Sequence, residues 1–239
     1  MSIVLEASGL AKTYQGEDGA AIDVLTGLDF GIARGEFVAI TGASGVGKST
    51  LLNCLGALDV PTRGAVRLDG VDYASLAPAG RSALRNRKIG FIFQFHHLLR
   101  EFSALENVMM PLLIAGRPES EASARATAAL TGMGLEHRLS HRPAKLSGGE
   151  QQRVAVARAV VIEPSIVLAD EPSGNLDAHN AERLHDLFAT LGQRFGTAVV
   201  VVTHNPSLAE RAGRILNLLD GRLVDAGSPS APASQRPGA

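Results

Sequence analysis

Residues 37–58 read FVAITGASGVGKSTLLNCLGAL, and no other stretch constrains the fold as tightly. The run FVAIT is apolar on both faces, which suits a strand covered by helices above and below. A glycine-rich turn follows, and LLNCLGAL then carries the apolar content of a buried helix. Strand, glycine turn and helix in that order form a phosphate-binding loop and predict an α/β chain built on a mostly parallel sheet. Gly42, Gly45 and Gly47 let the backbone turn its N–H groups inward, and the following helix presents its positive end to the same point. The cradle therefore spans Gly42, Ala43, Ser44, Gly45, Val46, Gly47, Lys48, Ser49 and Thr50. Lys48 reaches toward the β- and γ-phosphates of a nucleoside triphosphate, and the Ser49 hydroxyl is a ligand for Mg²⁺.

Three further apolar runs, IGFIFQ (89–94), SIVLAD (165–170) and TAVVVVTH (197–204), repeat the pattern of FVAIT and extend the sheet. Before Glu36 and over 64–73 the sequence alternates and is rich in turn residues, which predicts an antiparallel β flap. From about Phe95 to Ala157 the pattern is helical, broken at Pro111, Gly116, Pro118, Gly132, Gly134 and Pro143, as in a helical lobe inserted between two core strands. A chain of 239 residues holds one such domain with a substantial core and no second full domain. The expected P-loop NTPase domain covers 1–226, with core and flap in 1–94 and 158–226 and the lobe at about 95–157. The tail GSPSAPASQRPGA (227–239) has almost nothing to bury and is expected to be disordered.

Asp170 ends SIVLAD at the carboxyl edge of the sheet, where doubly wound folds bind ligands, and is placed to hold Mg²⁺ through water. Glu171 follows it. Beside a γ-phosphate its carboxylate can polarise or deprotonate the attacking water, which makes it the general-base candidate. Without the upstream phosphate loop the two acids would be plain surface carboxylates at a strand end. His204 ends AVVVVTH and Gln94 ends IGFIFQ, so both should emerge at the same edge. His204 would donate to the γ-phosphate or position water, and Gln94 would reach the metal and nucleotide.

The stretch LSGGEQQRVAVARAV (146–160) begins as a capped helix, with Ser147 and Glu150 spaced as a capping box. Gly148 and Gly149 also leave the backbone bare enough for an anion to approach the helix N-terminus. The loop at Gly42 already cradles one phosphate chain, so a second anion site needs a different nucleotide or a different molecule.

Composition removes several partners. With 23 Lys and Arg against 24 Asp and Glu, a net charge of -1 gives no global drive toward nucleic acid or an anionic membrane. The local run Arg81, Arg85, Arg87 and Lys88 reads as a solvated helix face, and no nucleic-acid partner is expected. Cys54 is the only cysteine, which leaves no internal disulfide, fits a reducing cytoplasm and suits a core position. The opening MSIVLEASGL lacks the basic region of a secretory signal. No apolar run approaches the ~18 residues that cross a bilayer, so work at a membrane would need another chain as anchor.

Because LSGGE stands between the Gln94 loop and ADEPSGNLD, the chain resembles the ATP-binding cassette (ABC) ATPases from Ile3 to Asp225. The resemblance implies a RecA-like nucleotide-binding core with an antiparallel flap and an inserted helical lobe, taking ATP and Mg²⁺. It also implies a second copy of the chain. The two would pair head to tail, each ATP lying between one copy's phosphate loop and the other's LSGGE helix. Ser147, Gly148 and Gly149 would then act across the dimer, and SGNLD (173–177) would place Asp177 at the seam. By the same resemblance Tyr14, in GLAKTYQG, would stack on adenine; by sequence alone it is an ordinary flap residue.

Within that family, FIFQFHHLLREFSALENVMMPLLIAG, with LRNRKIG before it and HRPAKLSGGEQQRVAVARA after it, most resembles the cassettes of lipoprotein-releasing systems. Macrolide-exporter and cell-division cassettes share much of the pattern. Arg100 and the THNP at 203–206 depart from the commoner residues without touching a phosphate ligand. The implied setting is the cytoplasmic face of a bacterial inner membrane, with integral membrane subunits resembling LolC and LolE docking near Gln94 to Val108. A soluble cassette ATPase of DNA repair or translation is the alternative from another class; such chains carry two cassettes or a coiled-coil insertion, and this sequence has neither. A P-loop kinase would leave LSGGE unexplained. Adjacent His96 and His97 project in different directions on a strand or a helix, so they do not make a metal pair.

Overall fold

The computed structural model describes residues 2–17, 19–174 and 176–227. Asn175 of SGNLD and the tail from 228 onward, expected to be disordered, lie outside the described residues.

The chain runs through strands β1 (Ile3–Gln15), β2 (Ala21–Ala33) and β3 (Phe37–Thr41), helix α1 (Lys48–Leu55), β4 (Arg63–Leu68), β5 (Val71–Asp72), α2 (Pro78–Lys88) and β6 (Ile89–Phe93). Helices α3 (Ala104–Ile114), α4 (Glu119–Gly132) and α5 (Gly148–Val160) follow. Beyond them come β7 (Ile166–Asp170), α6 (Ala178–Phe195), β8 (Ala198–Val202), α7 (Pro206–Ala209), β9 (Arg214–Leu219) and β10 (Arg222–Gly227).

The strands sort by their apolar pattern. The alternating segments make an antiparallel sheet in the order β2-β1-β4-β5, the expected flap. The continuous apolar runs lie in the second sheet, ordered β10-β9-β3-β8-β7-β6, in which β9, β3, β8, β7 and β6 are parallel and β10 closes one edge antiparallel. The sequence reading named no strand after His204. The β9–β10 hairpin has its own signal, Asp220-Gly221, whose φ values of 46 and 71 suit a tight hairpin turn.

Alternation along β3 explains why its run is apolar throughout. Val38 and Ile40 pack with α1 residues Leu51, Cys54 and Leu55 and with flap residues Leu5 and Leu10. Phe37 and Ala39 face the other way, onto Phe188 and Leu191 of α6. Cys54 is core, and burial pushes its thiol up to about 11, far from the reactive range. The lobe has a core of its own, with Val108 and Leu112 of α3, Ala126 and Leu130 of α4, and Val154 and Ala157 of α5. Helix α5 continues past 157 to Val160, and its Val156 and Ala159 join the main-sheet core. It therefore belongs to the lobe on one face and to the sheet on the other. Among the described residues no helix is long and apolar enough to cross a membrane.

Candidate functional site

Strand register brings the site to one edge. Phe93 pairs with Asp170, Asp170 with Val202, and Val202 with Ile40, so Gln94, Glu171, Thr203 and the Thr41–Gly42 link leave the sheet level with one another.

The phosphate loop leaves β3 with φ values of 148 at Gly42, 78 at Gly45 and 106 at Gly47. A Cβ on Gly42 would come within 2.5 Å of the Leu218 carbonyl oxygen, and one on Gly47 within 2.7 Å of Val24 Cγ1. Gly45 meets nothing and is needed for its conformation alone. Lys48 Nζ donates to the carbonyl oxygens of Gly42 at 2.9 Å and Ala43 at 2.8 Å, which holds the ammonium over the loop. Ser49 Oγ donates to Asp170 Oδ2 at 2.9 Å, and burial raises the Asp170 carboxyl above the ordinary range. Gln94 is half-buried with its amide against Gly174. Hydroxyl, carboxylate and amide oxygens form a hard donor set, which fits Mg²⁺ because that ion completes its shell with phosphates and water.

Glu171 adopts φ 43, a left-handed conformation that costs a non-glycine residue strain, while its N–H donates to the Val202 carbonyl at 2.9 Å. Its carboxylate is held from two sides. Oε1 accepts from the His204 backbone N–H at 3.0 Å and from His204 Nδ1 at 2.7 Å, and Oε2 accepts from the Thr203 hydroxyl at 3.1 Å. An ionised carboxylate only accepts, so the imidazole carries its proton on Nδ1 and leaves Nε2 at the exposed end of the ring. The sequence reading did not single out Thr203, whose only signal was its place before His204.

Tyr14 is exposed on the flap. Its hydroxyl donates to Asp59 Oδ2 at 2.9 Å, and Lys12, paired with the same Asp59 at 2.7 Å, sits 4.9 Å from the ring centroid. Burial first and then the Asp59 contact hold the phenol above its ordinary value.

At the start of α5 both halves of the capping box form. Ser147 Oγ accepts from the Glu150 N–H at 3.3 Å, and Glu150 Oε2 accepts from the Ser147 N–H at 2.8 Å. The two glycines differ: a Cβ on Gly148 meets nothing, whereas one on Gly149 would lie 2.9 Å from the Asn180 side chain. Asp177 caps α6, its Oδ1 accepting from the Asn180 N–H at 2.9 Å.

Arg138 Nε donates to Glu150 Oε1 at 2.8 Å, and this bond, followed by that from the Ser147 N–H, pulls the Glu150 carboxyl from 4.5 down to about 2. A depressed carboxyl pKa contributes stability that is complete above pH 4.5 and is lost as pH falls toward 2. Glu150→Gln should therefore be less stable than the wild type at pH 7 by about 1 kcal/mol, the worth of a helix cap. The gap should narrow below pH 4.5, and denaturant unfolding of both proteins at pH 7 and in that acidic window checks it.

In the segment from Gln94 to Val108 the histidines work through their backbone. Arg158 of α5, which the sequence reading did not single out, donates from Nη2 to the His96 carbonyl at 2.8 Å and from Nη1 to the His97 carbonyl at 2.9 Å. His97 takes φ 47 and sets its ring edge-on to Phe93, with centroids 5.3 Å apart. The His96 imidazole is held below its ordinary pKa by burial first and then by Arg158. Fully buried Asn107 staples the turn beyond, accepting from the Leu99 N–H at 2.8 Å and donating to the carbonyls of Leu99, Phe102 and Ser103. Phe95 is 67% exposed, and so is Ile114, which lines a groove of about 440 Å³ together with Phe91, Phe93 and Arg158. Nearby, Arg85 donates to the Ala57 carbonyl and Lys88 pairs with Asp69.

Comparison with known proteins places this geometry. The family model described as ABC transporter matches residues 25–174. A relative from Geobacter metallireducens named "Lipoprotein-releasing system ATP-binding protein LolD" is 52% identical over 94% of this chain and 99% of its own length. One of the same name from Pseudomonas fluorescens is 52% identical over 92% and 97%. The dimeric post-hydrolysis structure of the ATP-binding cassette MJ0796 bound to ADP and Pi matches with a TM-score of 0.87 at 39% identity, covering 95% of this chain and 100% of that one. A second dimeric structure of MJ0796, described as a bacterial ABC transporter cassette, gives a TM-score of 0.85 at 40% identity, covering 92% and 96%.

Proposed function

The chain belongs to the ABC transporter family and is an ATPase, and we propose that it powers release of outer-membrane-directed lipoproteins from a bacterial inner membrane. The observation that carries this reading is the 52% identity, over nearly the whole chain, to two lipoprotein-releasing ATP-binding proteins.

Two copies pair head to tail and share two ATP molecules. In each site Gly42 to Thr50 cradles the phosphates, Lys48 leaves its loop carbonyls for the β- and γ-phosphate oxygens, and Tyr14 offers its ring to adenine. Ser49 and Asp170, with Gln94 beside them, would hold Mg²⁺, which would neutralise phosphate charge. Glu171 accepts a proton from the water that attacks the γ-phosphate, and ADP departs as the bond to its β-phosphate oxygen breaks. His204 and Thr203 keep that carboxylate aimed, and the exposed end of the His204 ring is left for the γ-phosphate or its attacking water. Ser147, Gly148 and Gly149 of the partner copy complete the cradle with a helix N-terminus.

The exposed apolar residues around Phe95 and Ile114 receive integral membrane subunits resembling LolC and LolE, which would keep the chain at the cytoplasmic face as a peripheral subunit. Arg100 is an exposed residue of the same Gln94 to Val108 segment. Affinity purification from membranes should recover two such subunits. Arg100→Glu should lower their recovery about fivefold, a loss of roughly 1 kcal/mol, with ATP binding unchanged. Recovery of the subunits of a drug exporter or a division complex would overturn the lipoprotein reading.

A further inference from the structure

The family resemblance implies separate places at the dimer seam for the LSGGE helix and for the loop ending at Asp177. Within one copy the structure joins them. Arg153, on the second turn of α5, donates from Nη1 to Asn180 Oδ1 at 3.1 Å. The same amide donates from Nδ2 to Asp177 Oδ2 at 2.6 Å. A Cβ on Gly149 would come within 2.9 Å of this amide. One residue before Arg153, Gln152 is only 2% exposed and donates from Nε2 to the Pro172 carbonyl at 2.8 Å. The stretch between Pro172 and Asn180 is thus tied to α5 at both ends.

Apolar packing joins the two helices deeper down, where Val156 of α5 lies in one buried cluster with Leu184, Phe188 and Leu191 of α6. Toward the LSGGE end the polar link lies at a cavity of about 370 Å³, which Gly149, Arg153 and Asn180 line together with Val156 and Leu184. We propose that Asn180 is a positioning residue that locks the LSGGE end of α5 to Asp177, so that one copy presents both loops to its partner's nucleotide as a single unit. This rests on the shared-site reading above.

Asn180→Ala tests it without removing the helix cap, because the backbone N–H of residue 180 still donates to Asp177 Oδ1. Copies carrying Ser147→Arg are mixed with copies carrying Glu171→Gln. On the shared-site reading neither homodimer turns over, and each mixed dimer has one competent site. That site uses the phosphate loop and Glu171 of the Ser147→Arg copy and the LSGGE helix of the Glu171→Gln copy. Asn180→Ala placed in the Glu171→Gln copy should lower ATP turnover about fivefold, within the range for neighbours in one hydrogen-bond network. Placed in the Ser147→Arg copy it should leave turnover within about twofold, within the scatter of independent sites. Equal loss from both placements, as general loosening of α6 would give, or loss from neither, overturns the proposal. An inactive parent mixture would instead remove the shared-site reading on which it rests.

Discussion

Glu171→Gln is expected to lower steady-state ATP hydrolysis by about 10²- to 10⁴-fold, the usual contribution of a general base, while leaving ATP binding intact. Gln is nearly isosteric with Glu, and its amide oxygen can take over the bonds that Glu171 Oε1 accepts from the His204 N–H and ring. The Thr203 hydroxyl can rotate to accept from the new NH₂ instead of donating. The site keeps its shape and loses only its proton acceptor. Turnover measured beside nucleotide affinity separates the two effects, and undiminished hydrolysis would remove Glu171 as the base.

Ser147→Arg is expected to be nearly as severe by a different route, lowering hydrolysis about 100-fold with nucleotide affinity unchanged, as loss of a preorganised transition-state contact would. The new side chain would set a cation at the positive end of α5. Loss of the serine cap costs about 1 kcal/mol, which the helix can absorb because Val154, Val156 and Ala157 stay buried. The defect belongs to the copy that lends its helix, so mixing with Glu171→Gln copies should restore part of the activity. Full activity of Ser147→Arg alone would sink the shared site.

The parts of this site that lie along the chain were legible in the sequence. Gly42 to Thr50, Asp170, Glu171 and His204 each close or follow an apolar strand, and strand ends in a parallel sheet share an edge. What escaped reading depends on contacts between segments far apart. The Leu218 carbonyl that crowds Gly42 comes from β9, and neither that strand nor its hairpin was anticipated despite the Asp220-Gly221 turn. Arg158 looked like one more polar residue on an amphipathic helix, yet its guanidinium fixes two carbonyls some sixty residues earlier in the chain. Asn180 carries no local pattern at all. Even Gly149, assigned in sequence to anion access, also lies close against the Asn180 side chain.

The level ending of β6, β7, β8 and β3 also bears on how such a chain can change length. Inserting one residue within any of these strands would turn its terminal side chain to the opposite face and carry it past the rim, detaching Gln94, Glu171 or His204 from the rest. An insertion in the connection after α4, which joins helices of the lobe, moves none of them. Relatives should therefore drift in length through the lobe and its turns while these four strands keep their residue counts.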